Sequence, residues 1–213
     1  MARRHDLVWL RPQARWQALT PGAQARLREW FDAGLPAVVA RRDGNEPTDA
    51  VRLGVPLPPD ENKQRLALYA NAADIARLRA PLGLDEVLPH APPRARWALR
   101  SLARQARDIG LTPGVFGSFA WQALTNLSYV SETSDLDLLW PVVDAAQAEA
   151  IATMLSAWEQ RHGLRADGEL HLPGDAAVNW REYASDAHQV LVKSESGCAL
   201  QARETLFARS TAA

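Results

Sequence analysis

Apolar residues in the first 88 positions fall in short runs between polar stretches, a pattern typical of strands with few helices. The run HDLVWL, residues 5–10, predicts a first strand. Thr20-Pro21 predicts the start of a helix that continues through Asp32, because threonine is a good N-cap and proline suits the first helical position. Further elements are predicted as strands at 36–40, 50–55 and 65–70 and as a short helix at 74–79.

After residue 88 longer helical patterns alternate with short apolar runs. Residues 89–96, PHAPPRAR, contain three prolines and are predicted to form a linker, because proline resists regular structure. A helix is predicted next, at residues 97–110. The rest of the chain predicts strands at 115–116, 136–140, 164–172, 177–180 and 188–193, helices at 119–127, 144–162 and 203–209, and turns at 173–175 and 194–197.

These elements predict an α+β protein with two domains. A small N-terminal α+β domain is expected at residues 1–88, followed by the linker at 89–96. The larger domain, residues 97–213, is expected to be a mixed sheet with helices packed on it.

A Gly-Ser pair after a predicted strand is the first candidate for chemistry. Gly117 allows the backbone to pass close to a ligand. Ser118 then lies at a helix N-terminus, where free N–H groups and the helix dipole favour an anion such as phosphate.

Two aspartates on the next predicted strand are the second candidate. Asp135 and Asp137 alternate with apolar residues, so their carboxylates point to the same side. Neighbouring carboxylates repel each other unless a cation lies between them, and oxygen ligands of this kind suit Mg²⁺. Either pair alone has an ordinary explanation, since Ser134-Asp135 is also a common turn pair and Asp137 could be a charge that protects a sheet edge. Together and in this order they predict a phosphoryl- or nucleotidyl-transfer site.

The predicted helix at 97–110 has a basic side. Arginines recur at helical spacing on one stripe, with leucine and alanine opposite. This pattern fits a solvated basic face over a core-facing stripe, and it also fits an electropositive surface for an anionic substrate or an acidic partner protein. The arginines are Arg96, Arg100, Arg104 and Arg107.

Composition narrows the classes of function. A net charge of −1 argues against a protein that mainly clamps a nucleic-acid backbone. The single cysteine, Cys198, can form no intrachain disulfide, which fits a cytoplasmic location. No apolar run approaches a membrane span, and the N-terminus does not have the pattern of a signal peptide, so no membrane association is expected. The five histidines lack the spacing of a zinc site.

The segments GSF and SDLDLLW resemble the polymerase-β-like nucleotidyltransferase superfamily. More narrowly, the chain is similar to the holo-acyl-carrier-protein synthases of malonate decarboxylase, the phosphoribosyl-dephospho-CoA transferases. The similarity covers nearly the whole chain, with Asn126 where the family leads us to expect glycine. Its pieces are RHDLVWL, LGVPLP, VFGSFAWQALT, SDLDLLW, DGEL, VNWRE and VLVKS.

The resemblance implies a specific reaction. The phosphoribosyl-dephospho-CoA group of triphosphoribosyl-dephospho-CoA is transferred to a serine of the acyl-carrier subunit of malonate decarboxylase, and pyrophosphate is released. Gly117 and Ser118 would hold the triphosphate, and Asp135 and Asp137 would bind Mg²⁺, with two ions expected. A third carboxylate is expected on a later strand; Asp167 is favoured as metal ligand, with Glu169 as the alternative.

Three further residues are candidates for substrate binding. Gln122 is a candidate contact to phosphate or ribose, whereas Trp121 is expected in the core. Arg181 is either a phosphate contact or half of a surface ion pair with Glu182, and Lys193 either reaches phosphate or simply ends the last strand. The alternative functions are a nucleotidyltransferase with a different protein or small-molecule acceptor, and a catalytically silent nucleotide-binding module.

Overall fold

The computed structural model describes residues 2–42, 44–174, 176–194 and 197–208. The chain divides into two compact units. The first unit runs to Pro81 and also includes Leu124–Tyr129. The second comprises Leu82–Ala123 and the chain from Val130 onward.

The first unit is built on a six-stranded sheet in which every neighbouring pair is antiparallel. The strand order is β2-β5-β4-β3-β1-β6, and one helix precedes β3. Short 3-10 turns lie at Pro59–Glu61 and Ala72–Asp74. The elements are β1 Leu7–Leu10, β2 Trp16–Ala18, α1 Gln24–Asp32, β3 Ala37–Val39, β4 Ala50–Pro56, β5 Arg65–Asn71 and β6 Ile75–Arg79.

The core of the first unit follows from alternation along its strands. Leu66, Leu68 and Ala70 of β5 are buried, whereas the residues between them are at least partly exposed. Trp30 of α1 is fully buried, and its indole N–H donates to the Pro36 carbonyl at 2.8 Å. The tryptophan therefore contributes a large apolar surface without leaving its one polar atom unsatisfied.

The second unit is built on a seven-stranded mixed sheet of order β13-β12-β11-β10-β9-β8-β7. Only β9 and β10 are parallel, and all other described pairs are antiparallel. Short 3-10 turns lie at Leu88–His90 and Arg203–Thr205. The elements are β7 Leu82–Gly83, α2 Leu84–Val87, α3 Pro93–Asp108, β8 Gly114–Phe116, α4 Gly117–Thr125, β9 Leu136–Pro141, α5 Ala145–His162, β10 Ala166–Leu172, β11 Ala176–Asn179, α6 Trp180–Ala184, β12 Gln189–Ser194 and β13 Gly197–Ala202.

Buried tryptophans connect the helices of the second unit to each other and to the sheet. The Trp158 indole of α5 donates to the Ala98 carbonyl of α3 at 2.9 Å. The Trp180 indole of α6 donates to the Ala166 carbonyl of β10 at 3.0 Å. Both side chains are almost wholly buried, so each fixes the packing distance as well as the hydrogen bond.

Two expectations for the first unit were wrong. Thr20 does not cap a helix: α1 begins at Gln24, and the Thr20 hydroxyl accepts from the Ala67 N–H of β5 at 2.9 Å. Of the predicted helix at 74–79, Asp74 ends a 3-10 turn and Ile75–Arg79 form strand β6, which pairs with β1 and places the Arg77 guanidinium over the Trp9 ring. In both places contacts distant in sequence outweigh local propensity.

Several expectations for the second unit also need correction. Helix α3 runs from Pro93 to Asp108, whereas a helix was expected at 97–110. The earlier start is possible because proline is well suited to the first turn of a helix. Of the predicted helix at 203–209, residues 203–205 form a 3-10 turn, residues 206–208 form no α-helix, and Arg209 lies outside the described residues. Asp175 of the predicted turn at 173–175 also lies outside the described residues. Residues 197–202, of which the first was expected in a turn, form the edge strand β13.

Asn126, the residue directly after α4, has a φ of 59°. This left-handed conformation is the one that glycine adopts freely and asparagine tolerates best among other residues. The asparagine therefore fits a position where the family resemblance led us to expect glycine.

The α+β fold class predicted from the sequence is confirmed. The division into residues 1–88, a linker at 89–96 and residues 97–213 stays a prediction. Among the described residues, no helix is both long and apolar enough to cross a membrane.

An ion pair in the first unit gives a test of stability. The Arg26 guanidinium donates two hydrogen bonds to the Glu61 carboxylate, at 2.8 and 2.7 Å, and these hold the pKa of Glu61 below its ordinary value. We expect Arg26→Ala to lower the free energy of unfolding by about 1 kcal/mol at pH 7, as measured by urea denaturation.

The pH dependence of that loss follows from the direction of the shift. A lowered folded-state pKa means that the pair stabilises the fold above the unfolded-state value of about 4.3 and stops doing so as pH falls through the folded value. The difference between Arg26→Ala and wild type should therefore shrink below pH 4. Arg28→Ala, an exposed position on the same helix, is the matched control. An equal loss in both variants at pH 7 would contradict the assignment.

Candidate active site

The two candidate acidic strands lie side by side at the centre of the seven-stranded sheet. Strands β9 and β10 are parallel, and Asp137 is the register partner of Asp167. Leu136, Leu138 and Trp140 of β9 are fully buried, whereas Asp137 is half-buried. Because side chains alternate along a strand, Asp137 and Asp167 share the sheet face opposite to this apolar row.

A glycine sets how closely these strands approach. A Cβ atom added to Gly168 would lie 2.5 Å from the Leu138 carbonyl oxygen, closer than real Cβ atoms come. The glycine between Asp167 and Glu169 is therefore not a weak point in the strand pattern. It allows β10 to pair with β9 in this register.

The Gly-Ser turn lies directly against one of the carboxylates. Phe116 is the register partner of Asp137 in the β8–β9 pair, and α4 begins with the next residue, Gly117. Gly117 has a φ of 65°, and a Cβ atom there would lie 1.8 Å from an Asp137 carboxylate oxygen. Ser118 and Leu136 are 18 residues apart in the sequence. The turn and the acidic strand nevertheless lie in contact and form one site.

Asp135 lies one residue before β9, with its side chain 39% exposed. Its carboxylate is 3.4 Å from the Arg165 guanidinium Nε, across the first residues of the parallel pair. The Leu136 N–H donates to the Arg165 carbonyl at 2.8 Å, which fixes the backbone on both sides of the ion pair. Arg165 is 62% exposed, so the pair is solvent-screened and can open to a ligand at small cost.

Asp167 is held by two donors. One carboxylate oxygen accepts from the Asn179 side-chain amide at 3.0 Å and from the Gly168 N–H at 2.9 Å. The side-chain oxygen of Asn179 accepts from the Arg181 N–H at the start of α6. Asn179 therefore fixes the carboxylate and caps the following helix at the same time.

Glu169 lies two residues further along β10 and is almost fully buried, with 6% of its surface exposed. The Lys193 ammonium of β12 donates to its carboxylate at 3.2 Å. The structure therefore places Lys193 beside Glu169, where it compensates a buried negative charge.

Two other candidates are engaged elsewhere in the second unit. The Gln122 amide donates to the His90 carbonyl at 2.7 Å and accepts from the Val130 N–H at 3.0 Å. Arg181 donates to the Glu159 carboxylate and to the Ala166 carbonyl, and its guanidinium lies over the Trp180 ring. Trp121 is buried, as expected of a core residue.

Arg181 and Glu159 also line a cavity of about 400 Å³ with Gly163, Leu164 and Arg165. One of these lining residues, Arg165, has its guanidinium 3.4 Å from the Asp135 carboxylate. The cavity is a concave space at the N-terminal end of the parallel strands.

The geometry brings Gly117, Asp137 and Asp167 together, with Asp135 beside them. Within the part of the chain that the structure describes, no group of three or more His, Cys, Asp or Glu side chains is arranged to hold a metal ion. Two carboxylates in register are sufficient for Mg²⁺, which commonly binds one or two carboxylates and completes its shell with water and substrate phosphates.

Comparison with known proteins identifies the family. A model of the phosphoribosyl-dephospho-CoA transferase MdcG C-terminal domain matches residues 77–204, and its N-terminal counterpart matches residues 3–81. A phosphoribosyl-dephospho-CoA transferase of Xanthomonas euvesicatoria is 64% identical over 100% of both chains. This chain belongs to the phosphoribosyl-dephospho-CoA transferase family.

More distant members of the transferase family still match along nearly their whole length. The protein of that name from Bradyrhizobium diazoefficiens is 35% identical over 98% of this chain and 93% of its own length. The one from Azotobacter vinelandii is 33% identical over 92% and 91%. No solved structure matches significantly. Membership confirms the narrower resemblance, to the phosphoribosyl-dephospho-CoA transferases, and makes the chain a transferase of phosphorus-containing groups. The resemblance to the polymerase-β-like nucleotidyltransferase superfamily stays a prediction.

Sequence reasoning missed two residues of the candidate site. Asn179 could have been recognised locally, because asparagine is a common N-cap and here it precedes the helix that begins with Trp180. Its side-chain amide donates to Asp167. Arg165 carries none, since its contact with Asp135 arises only from the pairing of β9 and β10.

Because β9 and β10 approach closely at Gly168, an alanine substitution there should lower the free energy of unfolding more than one at a glycine with free space around it. Gly168→Ala must push β10 away from Leu138, and we expect a loss of about 1–3 kcal/mol in the free energy of unfolding. Gly54→Ala, in a strand of the first unit, is the matched control, because its Cβ atom would meet its nearest neighbour at an ordinary 3.8 Å. Urea denaturation measures both, and equal stability in the two variants would refute the steric explanation.

Proposed function

We propose that this transferase moves the phosphoribosyl-dephospho-CoA group from triphosphoribosyl-dephospho-CoA to a serine of the acyl-carrier subunit of malonate decarboxylase, releasing pyrophosphate. The transferred group is supported by the names of full-length relatives, and the donor and the acceptor by the sequence resemblance. We place the reaction in the cytoplasm, which fits a chain with one cysteine.

The observation that carries the proposal is the contact of the Gly-Ser turn with the paired aspartates. Gly117 begins α4, and a Cβ atom added to it would overlap the Asp137 carboxylate, so the start of this helix lies directly against that carboxylate. Free N–H groups at a helix start bind phosphate oxygens. A phosphate on this turn would therefore lie within reach of oxygen ligands on β9 and β10. We assign Gly117 and Ser118 to the triphosphate of the donor.

The carboxylates fit Mg²⁺ by their chemistry and arrangement. Asp137 and Asp167 are register partners that offer oxygen only, and Asp135, one residue before β9, is 39% exposed. We propose that these three aspartates hold two Mg²⁺ ions, in the manner of polymerase-β-like nucleotidyltransferases. Bound Mg²⁺ would neutralise charge on the triphosphate and on the departing pyrophosphate.

The chain's own groups then have simple tasks. The helix start orients the triphosphate so that its phosphorus atom nearest the ribose faces the acceptor serine. The serine oxygen forms a bond to that phosphorus, and the bond from phosphorus to the oxygen of the departing pyrophosphate breaks. Asp167 is placed to accept the serine proton, because the Asn179 amide holds its carboxylate fixed while leaving a second oxygen for that role.

Register favours Asp167 over Glu169 as the third carboxylate. Asp167 is directly opposite Asp137, whereas Glu169 is opposite Leu139 and already neutralises Lys193. Gln122, Arg181 and Lys193 stay predictions as substrate contacts, since each has a protein partner that the donor would have to replace.

The test of the reaction is the intact mass of the apo acyl-carrier subunit after incubation with this protein, Mg²⁺ and triphosphoribosyl-dephospho-CoA. We expect a mass gain equal to the phosphoribosyl-dephospho-CoA group, absent when a chelator removes the metal. Asp137→Ala should slow the gain by at least about 100-fold, whereas Asp186→Ala, an exposed carboxylate of the same unit, should not change it. Binding of the donor without any mass gain would redirect the proposal to another acceptor or to a silent nucleotide-binding module.

The choice of third carboxylate has its own test. Asp167→Asn keeps the side-chain shape but removes the charge and the proton acceptor, and we expect kcat to fall by about 100-fold or more. Glu169→Gln removes a charge that Lys193 already balances, so kcat should fall by less than about 10-fold. The reverse order of the two effects would assign the role to Glu169.

A further inference from the structure

Helix α3 presents an exposed stripe that the proposed chemistry leaves unused. We define the α3 stripe as Trp97, Arg100 and Arg104, which recur every three or four residues and so lie on one side of the helix. All three are exposed, and Trp97 has 62% of its surface accessible. A tryptophan left this open in a globular chain is a candidate contact for another molecule.

The charge of the stripe is opposite to that of the surrounding sequence. Residues 82–213 contain sixteen aspartates and glutamates against eleven arginines and lysines. Five of those eleven basic residues lie within α3, together with a single acidic residue, Asp108. The helix is thus a basic surface on an otherwise acidic part of the chain.

Two of the four arginines in the predicted basic row are committed within the fold. Arg96 donates to the Ala91 carbonyl at 2.9 Å, and Arg107 pairs with Asp85 at 2.9 Å. Arg100 and Arg104 have no hydrogen-bond or ion-pair partner among the residues that the structure describes. Their charges are therefore available to a ligand without breaking a contact.

The first turn of α3, before the stripe, is joined to the loop that leads into the candidate active site. Arg94, in the first turn of α3, donates to the Ser131 carbonyl at 2.6 Å. Ser131 and Ser134 are joined by hydrogen bonds, and the next residue is Asp135. A molecule bound along α3 would therefore reach the loop that leads into the carboxylates.

We infer that the α3 stripe docks an acidic surface of the protein that receives the transferred group. This inference rests on the proposed function, which requires a protein acceptor. An exposed side of a helix suits a protein better than the small donor, because small ligands bind in concave pockets. Basic side chains around an aromatic anchor give both the attraction and the contact that such a complex needs.

The test is a charge reversal with a matched control. The double variant Arg100→Glu and Arg104→Glu should raise KM for the apo acyl-carrier subunit by about 10-fold or more at low salt, with kcat at saturating acceptor and KM for the donor unchanged. It should also weaken the dependence of kcat/KM on salt. Trp97→Ala should raise the same KM without changing the salt dependence.

The control double variant is Arg28→Glu and Arg161→Glu, which makes the same change in net charge at exposed helical positions outside α3. It should leave both KM values near those of wild type. An unchanged acceptor KM in the α3 variant, with wild type fully active, would overturn the docking surface. A rise in donor KM instead would assign the stripe to the donor and also overturn it. If wild type itself does not modify the acceptor, the proposed function fails. The wild-type reaction is measured first, so this outcome is distinguished from failure of the docking surface.

Discussion

The parallel pairing of β9 with β10 is the contact on which the candidate site depends. In a strand, a shift of one residue moves every side chain to the opposite face. The register that places Asp137 beside Asp167 also buries Leu136, Leu138 and Trp140 on the other side. Burial of that apolar row therefore selects the register that assembles the carboxylates, and repulsion between the two charges is outweighed by the core behind them.

Other features of the second unit maintain this pairing. Gly168 removes the one side-chain atom that would hold the strands apart, and Gly117 does the same between α4 and β9. Trp180 anchors α6 to the start of β10, and the cap of α6 is the residue that holds Asp167. The positions of Asp137 and Asp167 are thus determined by backbone contacts and buried aromatic rings rather than by flexible charged side chains. Such placement suits a site that is formed before its substrate binds.

The parts of the fold that could be predicted are those with a local cause. Alternation along SDLDLLW predicted the faces of β9, and Gly117-Ser118 predicted a turn into a helix. The strand β6 could not be recognised in this way, since IARLR has no strict alternation and takes its conformation from pairing with β1. Thr20 has the right type for an N-cap but is used by β5. Likewise the contacts of Gln122, Arg181 and Lys193 depend on partners 8 to 32 residues away, which no local pattern reveals.

The cationic side chains around the candidate site are paired with carboxylates. Arg165 is next to Asp135, Arg181 is bonded to Glu159, and Lys193 is bonded to Glu169. Each of these cations is largely balanced by a carboxylate, so they add little net attraction for a polyphosphate. Under the proposed function, attraction for the donor's triphosphate then comes from the helix start at Gly117 and from the Mg²⁺ ions assigned to Asp135, Asp137 and Asp167. In the proposed mechanism this balance separates two tasks on one unit: the aspartates of the sheet are assigned to the reaction, and the uncompensated Arg100 and Arg104 of α3 to recognition of the acceptor.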